Sequence, residues 1–122
     1  MMLLPKIRSK KIMQAPKLIP EMGCQLRIAS FVGLHCSGHD TRVMAHNPFA
    51  PDKGQATKGC DTGTMCACLL CHDLLDLRDM RGIVLRDRYP LAFMTQVIRA
   101  QSTTRAFLIG AGIITVPDGE IV

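Results

Sequence analysis

Cys66-Ala67-Cys68-Leu69-Leu70-Cys71-His72-Asp73-Leu74-Leu75-Asp76 is the stretch whose reading decides the rest of the chain. Cys68 and Cys71 stand at Cys-x-x-Cys spacing, which lets two thiolates chelate one zinc from a tight turn. His72 and Asp76 follow at i and i+4. With a helix starting near Leu69, their side chains stand one above the other on one face. An imidazole and a carboxylate so placed can hold a second, oxygen-preferring metal. The stretch predicts a zinc knuckle that clamps the start of a helix whose exposed face carries a catalytic metal.

The chain around it has 122 residues, enough for one domain with a modest core. Hydrophobic residues make up 48% of it, but with no Trp, one Tyr and four Phe that core is thin, and a structural metal would compensate. The net charge of +5 favours an anionic partner, nucleic acid being the commonest. Six cysteines need a role. Met1-Met2-Leu3-Leu4-Pro5-Lys6 is apolar and then basic, the reverse of a signal peptide. No run of about 18 apolar residues predicts a membrane span. The expectation is a reducing cytoplasm, where such cysteines bind metal more often than they pair.

Residues 1–22 read as a basic N-terminal arm. Lys6, Arg8, Lys10, Lys11 and Lys17 are interspersed with Pro5, Pro16 and Pro20, which argue against one long helix. Such a segment is either a solvated tail or an arm along a phosphate backbone. Gln25 to Ile28 alternates like a short strand. Cys24 and Cys36 are candidates to complete a four-thiolate site with Cys68 and Cys71. His35 and His39 would substitute if one cysteine were not a ligand. Thr41 to His46 is the best strand candidate, and Pro48 puts His46 at its end. Residues 49–64 read as a loop carrying Lys53 and Lys58, with Asp61 or Thr62 as a cap for the next element. Cys60 and Cys66 read as buried thiols.

A helix over about 69–80 has Leu70, Leu74 and Leu77 as its core stripe, with Gly82 as its stop. A second helix spans about 90–108, starting at Pro90, with Phe93, Val97, Ala100 and Thr104 on its buried side. Its Phe93/Val97 side is also a candidate homodimer surface. Ile113 to Val116 reads as a final strand.

Cys68-Leu69-Leu70-Cys71-His72 also fits haem attachment, but that needs export and leaves Cys24 and Cys36 unused. A thioredoxin-like pair would need a preceding strand, and a Gly/Thr loop stands there instead. Two readings remain. A zinc-stabilised DNA-binding module uses the cysteines and the charge. A nuclease also uses His46, His72 and Asp76. Phosphodiester hydrolysis needs an activated water and neutralisation of charge on the phosphorane-like transition state and leaving oxygen. Imidazoles exchange protons near neutral pH, which suits His46 as base. A divalent ion on His72 and Asp76 suits the second need, with Lys53, Lys58 and Arg78 holding phosphates.

Lys6 to Ile12, Cys24 to Ile28, Ala45-His46 and Ala67 to Asp76 together resemble the YbcO-like nucleases of lambdoid phages and prophages, a branch of the HNH or ββα-metal nucleases. The resemblance runs from about Lys6 to Arg78. It implies a general-base role for His46 and catalytic-metal ligation by His72 and Asp76. It also implies structural zinc on Cys24, Cys36, Cys68 and Cys71, with Lys58 and Asp61 matching a lysine and an acidic residue of the family's loop. Ala45 stands where many HNH proteins carry an acidic ligand, and the middle Asn of the HNH signature is absent from its place, where the resemblance implies that Asp61 does its work.

The expected fold is therefore α+β: a small zinc-stabilised ββα-metal (HNH-like, His-Me finger) core over residues 23–122 with an additional C-terminal helix. The expected function is a metal-dependent DNA endonuclease, a hydrolase with structural Zn2+ and catalytic Mg2+ or Mn2+. It would act in the cytoplasm of a bacterial host cell, without a membrane.

Overall fold

A computed structural model describes residues 5–49 and 59–122. The fold is small and α+β, a two-stranded antiparallel sheet surrounded by helices. Two short helices, α1 (Lys10–Met13) and α2 (Ala15–Leu18), precede strand β1 (Val43–His46). Strand β2 (Thr64–Ala67) and helix α3 (Leu69–Leu75) come next, then α4 (Met80–Arg88) and α5 (Pro90–Gly110). β1 pairs with β2 so that Val43 faces Ala67 and His46 faces Thr64. No helix among the described residues is long and apolar enough to cross a membrane.

β2 runs through a Gly/Thr-rich stretch that reads as loop in the sequence. Burial explains the difference: all four of its residues are inaccessible to solvent, and alternate ones serve different cores. Met65 and Ala67 pack with Ala45, Leu26, Leu74 and Phe93, whereas Cys66 packs with Met44, Ile12, Met22 and Leu108. A strand buried on both faces loses its polar alternation. Its outer edge is closed from elsewhere. Gln25 and Leu26 donate their amides to the Cys66 carbonyl at 2.8 and 3.2 Å. Buried Thr104 accepts the Cys66 amide at 3.1 Å. Residues 25–28 thus run beside β2 without forming the expected strand, since Arg27 turns into the left-handed region (φ 49°).

The expected N-terminal arm is built into the body, by hydrogen bonds of Ile7 and Ser9 and by apolar burial from Ile12 onward. Ile12, Ala15, Ile19 and Met22 are all buried in the second core. The prolines do break the helix: Pro16 sits in the first turn of α2 and Pro20 lies beyond its end. Burying Ile12, Ile19 and Met22 is worth roughly 1.5–3 kcal/mol each, ample to hold a short segment in place. Lys6, Arg8, Lys10, Lys11 and Lys17 stay exposed along its outer side.

The helix expected over 69–80 is two helices. α3 ends at Leu75, Leu77 takes a left-handed conformation (φ 61°), and Asp79 caps α4 by accepting the Arg81 amide at 3.0 Å. The core stripe is Cys71, Leu74 and Leu75, with Leu77 outside the helix. Gly82 is no stop but an interior residue of α4, where a Cβ would lie 2.1 Å from the Leu74 carbonyl oxygen. The missing side chain lets α4 cross directly over the end of α3.

α5 buries Phe93, Val97, Ala100 and Thr104 as expected, and Leu108 as well. Phe93 and Val97 are core residues and form no partner surface; the exposed large apolar residues of α5 are Leu91 and Ile98. Ile113 to Val116 forms no strand, having no neighbour to pair with among the described residues. Instead the amides of Ile113 and Ile114 both close onto the Leu108 carbonyl at 2.9 and 3.2 Å, with Gly112 at φ 73°. The two isoleucines pack back on the second core.

Gly82→Ala tests this packing. Helix propensity alone favours alanine by about 1 kcal/mol. The clash with Leu74 should reverse the sign, giving a net loss of about 1–3 kcal/mol in denaturant unfolding.

Candidate functional site

Cys24, Cys36, Cys68 and Cys71 bring their sulfurs within 4.8 Å of one another. All six cysteines are free thiols. Two similar turns present the ligands. The Arg27 amide donates to Cys24 Sγ at 3.5 Å, and the Cys71 amide donates to Cys68 Sγ at 3.5 Å. Cys36 arrives from a loop whose Ser37 amide also donates to Cys68 Sγ, at 3.4 Å. A tetrahedral zinc with Zn–S near 2.3 Å sets its sulfurs about 3.8 Å apart. Cys36 Sγ and Cys71 Sγ are separated by 3.8 Å. The four thiols are thus placed to hold a metal ion such as zinc.

The four thiols do not titrate alike. Cys24 is drawn down to about 5, chiefly by the hydrogen bond from the Cys71 thiol, against the effect of burial. Cys36 is pushed up to about 12 by burial and by the negative charge of Cys24. Cys71 is raised by its bond to Cys24 and by burial. Several thiolates cannot share this space without a cation among them. His35 is exposed and outside the cluster, and His39 bonds the Pro20 carbonyl at 2.8 Å. Cys66 is buried in the second core, where burial pushes its thiol up to about 11. Cys60 is only half-buried, accepting the Ile7 amide at 3.3 Å.

The same loop caps α3. The Leu70 amide donates to Ser37 Oγ at 3.0 Å and the Leu69 amide to Thr41 Oγ1 at 3.1 Å. Together with Cys68 they take up the amides a helix start leaves unpaired. α3 has only seven residues, too few to be stable alone. The cluster and the caps therefore set where His72 and Asp76 stand.

His46, His72 and Asp76 line one cleft of about 560 Å³, together with Arg86 and Phe49. His46 comes from the end of β1, and the other two from one edge of α3. His72 Nε2 lies 3.0 Å from Asp76 Oδ2. One imidazole and one carboxylate, a helical turn apart and partly exposed, suit a divalent cation that keeps several open positions. Ala45 is buried and supplies no ligand. Among the described residues, only the cysteines gather three or more metal-binding groups. Water and substrate oxygens would have to complete any ion on His72 and Asp76. Arg78 is engaged there: it bonds Asp73 Oδ1 at 3.0 Å and lies 3.4 Å from Asp76 Oδ2 and 3.3 Å from His72 Nδ1. Lys53 and Lys58 lie outside the described residues.

The family resemblance singles out Asp61, but its partner comes only from the fold. Asp61 is 3% exposed, and its side chain caps nothing in the turn it opens. Instead Oδ1 lies 2.9 Å from His46 Nε2, while Oδ2 accepts the Ser9 amide at 2.7 Å. Arg8 stands 3.7 Å from Oδ1. Burial alone would raise the carboxyl, but the Ser9 amide, the His46 bond and the Arg8 charge outweigh it and hold it below the usual carboxylate range. A lone aspartate fifteen positions after a histidine carries no spacing signal, so only the folded chain reveals the pair.

Compared with known proteins, the chain matches no protein-family model, no curated protein and no solved structure.

Two measurements check this site. Metal analysis of the purified chain should find one thiolate-bound ion. Cys68→Ser should lose it and lower Tm by about 10 °C or more, at roughly 4 °C per kcal/mol for a domain this size, while Cys60→Ser should keep it. Asp61→Ala should cost about 2–3 kcal/mol at neutral pH, since it strands the Ser9 amide and His46. The pKa of Asp61 is lowered on folding. Its contribution is therefore complete above the ordinary carboxylate value near 4 and is lost as pH falls through the folded value. Stability of the wild type and Asp61→Ala should converge in acid.

Proposed function

We propose that the chain is a metal-dependent endonuclease that hydrolyses phosphodiester bonds in DNA. Its frame would be a zinc-stabilised ββα-metal core of the YbcO-like, HNH kind. The observation that supports this best is the convergence of His46, His72 and Asp76 on one cleft, from a strand end and a helix in strand–strand–helix order. The net charge of +5 and the exposed Lys10, Lys11 and Lys17 suit a polyanionic partner.

In this reading His46 takes a proton from the attacking water as its oxygen bonds to phosphorus. The bond from phosphorus to the leaving oxygen then breaks, and that oxygen is protonated from solvent. His72 and Asp76 would hold a divalent ion, Mg2+ or Mn2+, which would supply charge neutralisation at the phosphate and the leaving oxygen. Arg78 and Arg86 lie close enough to the cleft residues to hold flanking phosphates, a role that Lys53 and Lys58 would share.

One observation favours a second reading, a non-catalytic zinc-stabilised DNA-binding protein. His72 and Asp76 already pair with each other, and Arg78 approaches both, so the face can be satisfied without an ion.

Incubating supercoiled plasmid with the protein and Mg2+ or Mn2+, beside His46→Ala, separates the two. The nuclease reading expects metal-dependent nicking that falls by about 10²–10⁴-fold in the variant, with gel-shift affinity unchanged. Binding without cleavage in either protein, at any divalent ion, would support the module instead.

A further inference from the structure

We propose that Asp61 is the positioning residue of the site: with the Ser9 backbone amide it fixes the tautomer of His46, leaving Nδ1 as that ring's basic atom. The catalytic consequence rests on the nuclease reading, but the tautomer itself does not.

The assignment comes from what each partner can donate. A backbone N–H has no alternative to donating, so Asp61 Oδ2 is committed to Ser9 at 2.7 Å. An ionised carboxylate only accepts. The ring nitrogen 2.9 Å from Oδ1 must therefore carry a hydrogen, and that nitrogen is Nε2. Nδ1 then keeps the lone pair that a base needs. Burial makes the arrangement exclusive: the side chains of His46 and Asp61 are 15% and 5% exposed, so water cannot readily replace either partner. The charged and titratable groups around the pair are Arg8 from the N-terminal segment and, across the cleft, His72, Asp76 and Arg86. Asp61 lies in the turn Asp61–Gly63 that leads into β2, and its own amide donates to the Ile7 carbonyl at 3.0 Å. Arg8 reaches the Gly59 carbonyl at 2.6 Å. Residues 7–9 thus act as a strap across the turn that bears Asp61.

The isosteric variant Asp61→Asn discriminates sharply. The Asn oxygen is drawn to the Ser9 amide, which turns the NH2 group toward His46 Nε2. Two donors cannot face each other there, so the ring hydrogen moves to Nδ1. The side chain keeps its shape while the basic atom shifts to the wrong nitrogen. This is the logic by which an asparagine in place of a triad aspartate disables a serine protease.

The test is long-range 1H–15N correlation on the full-length protein with 15N-labelled histidine. The wild type should show His46 as the Nε2–H tautomer and Asp61→Asn as Nδ1–H, with the metal content of the cysteine cluster unchanged. Plasmid cleavage by Asp61→Asn should fall by about 100-fold or more in kcat with KM preserved. An Nε2–H ring in both proteins, a mixture of tautomers in the wild type, or full cleavage by Asp61→Asn would overturn the proposal. If Asp61→Asn does not fold, the wild-type spectrum still decides: a single Nε2–H tautomer supports the assignment and a mixture refutes it. If the wild type cuts no DNA, the nuclease reading fails while the spectra still decide what Asp61 does to His46.

Discussion

Four sulfurs within 4.8 Å of one another join residues 24–36 to the start of α3, and the rest of the molecule depends on that junction. Leu74 and Leu75 pack α3 into the core, and the sulfur cluster with its neighbouring caps fixes where that seven-residue helix begins. The loop that brings in Cys36 also supplies Ser37 and Thr41 to cap α3. One local arrangement therefore satisfies the helix start, closes the cluster and sets the direction of His72 and Asp76. A metal ion bound by the thiols would make this junction the last part of the domain to come apart.

The opposite wall of the cleft is organised by polar contacts. Arg42 reaches the carbonyls of Pro16, Met22 and His39, which ties the N-terminal segment to the foot of β1. Gln101 of α5 donates to the Gly63 carbonyl at 2.7 Å and accepts from Asn47 at 3.2 Å, bracketing the far ends of both strands. His46 sits between these anchors, and buried Asp61 ties it to residues 8 and 9. The helix wall is set by sulfur chemistry and the strand wall by buried hydrogen bonds. The proposed chemistry takes place where the two meet.

Much of this was legible in the sequence. The Cys-x-x-Cys step, the strand ending at His46 and the buried side of α5 follow from spacing and periodicity, which act locally. Cys24 and Cys36 were candidates at a spacing wide for a knuckle, and the fold is what brings them to Cys68 and Cys71. What was not legible depends on tertiary contact. β2 is buried on both faces and so lacks alternation. Gly82 looks like a helix stop until α4 crosses the end of α3. Ile113 to Val116 has strand composition but folds back on its helix. The basic N-terminal segment conceals an apolar stripe, Ile12, Ala15, Ile19 and Met22, interrupted by prolines. Asp61 gains its place from contacts with residues far away in the chain. Arg78 shows the same limit: its charge suggested a phosphate ligand, while its position depends on carboxylates that only the turn after α3 brings near it.

The central claim is that the cluster places His72 and Asp76 so that one cation there lies opposite His46. Paramagnetic broadening by Mn2+ tests it most directly, read in the NMR spectra of the zinc-loaded protein at substoichiometric Mn2+. The account expects the signals of residues 46, 72 and 76 to broaden first and together, while those around Cys24 and Cys68 stay sharp for longer. Broadening spread over the exposed acidic side chains, or reaching residue 76 without residue 46, would contradict it.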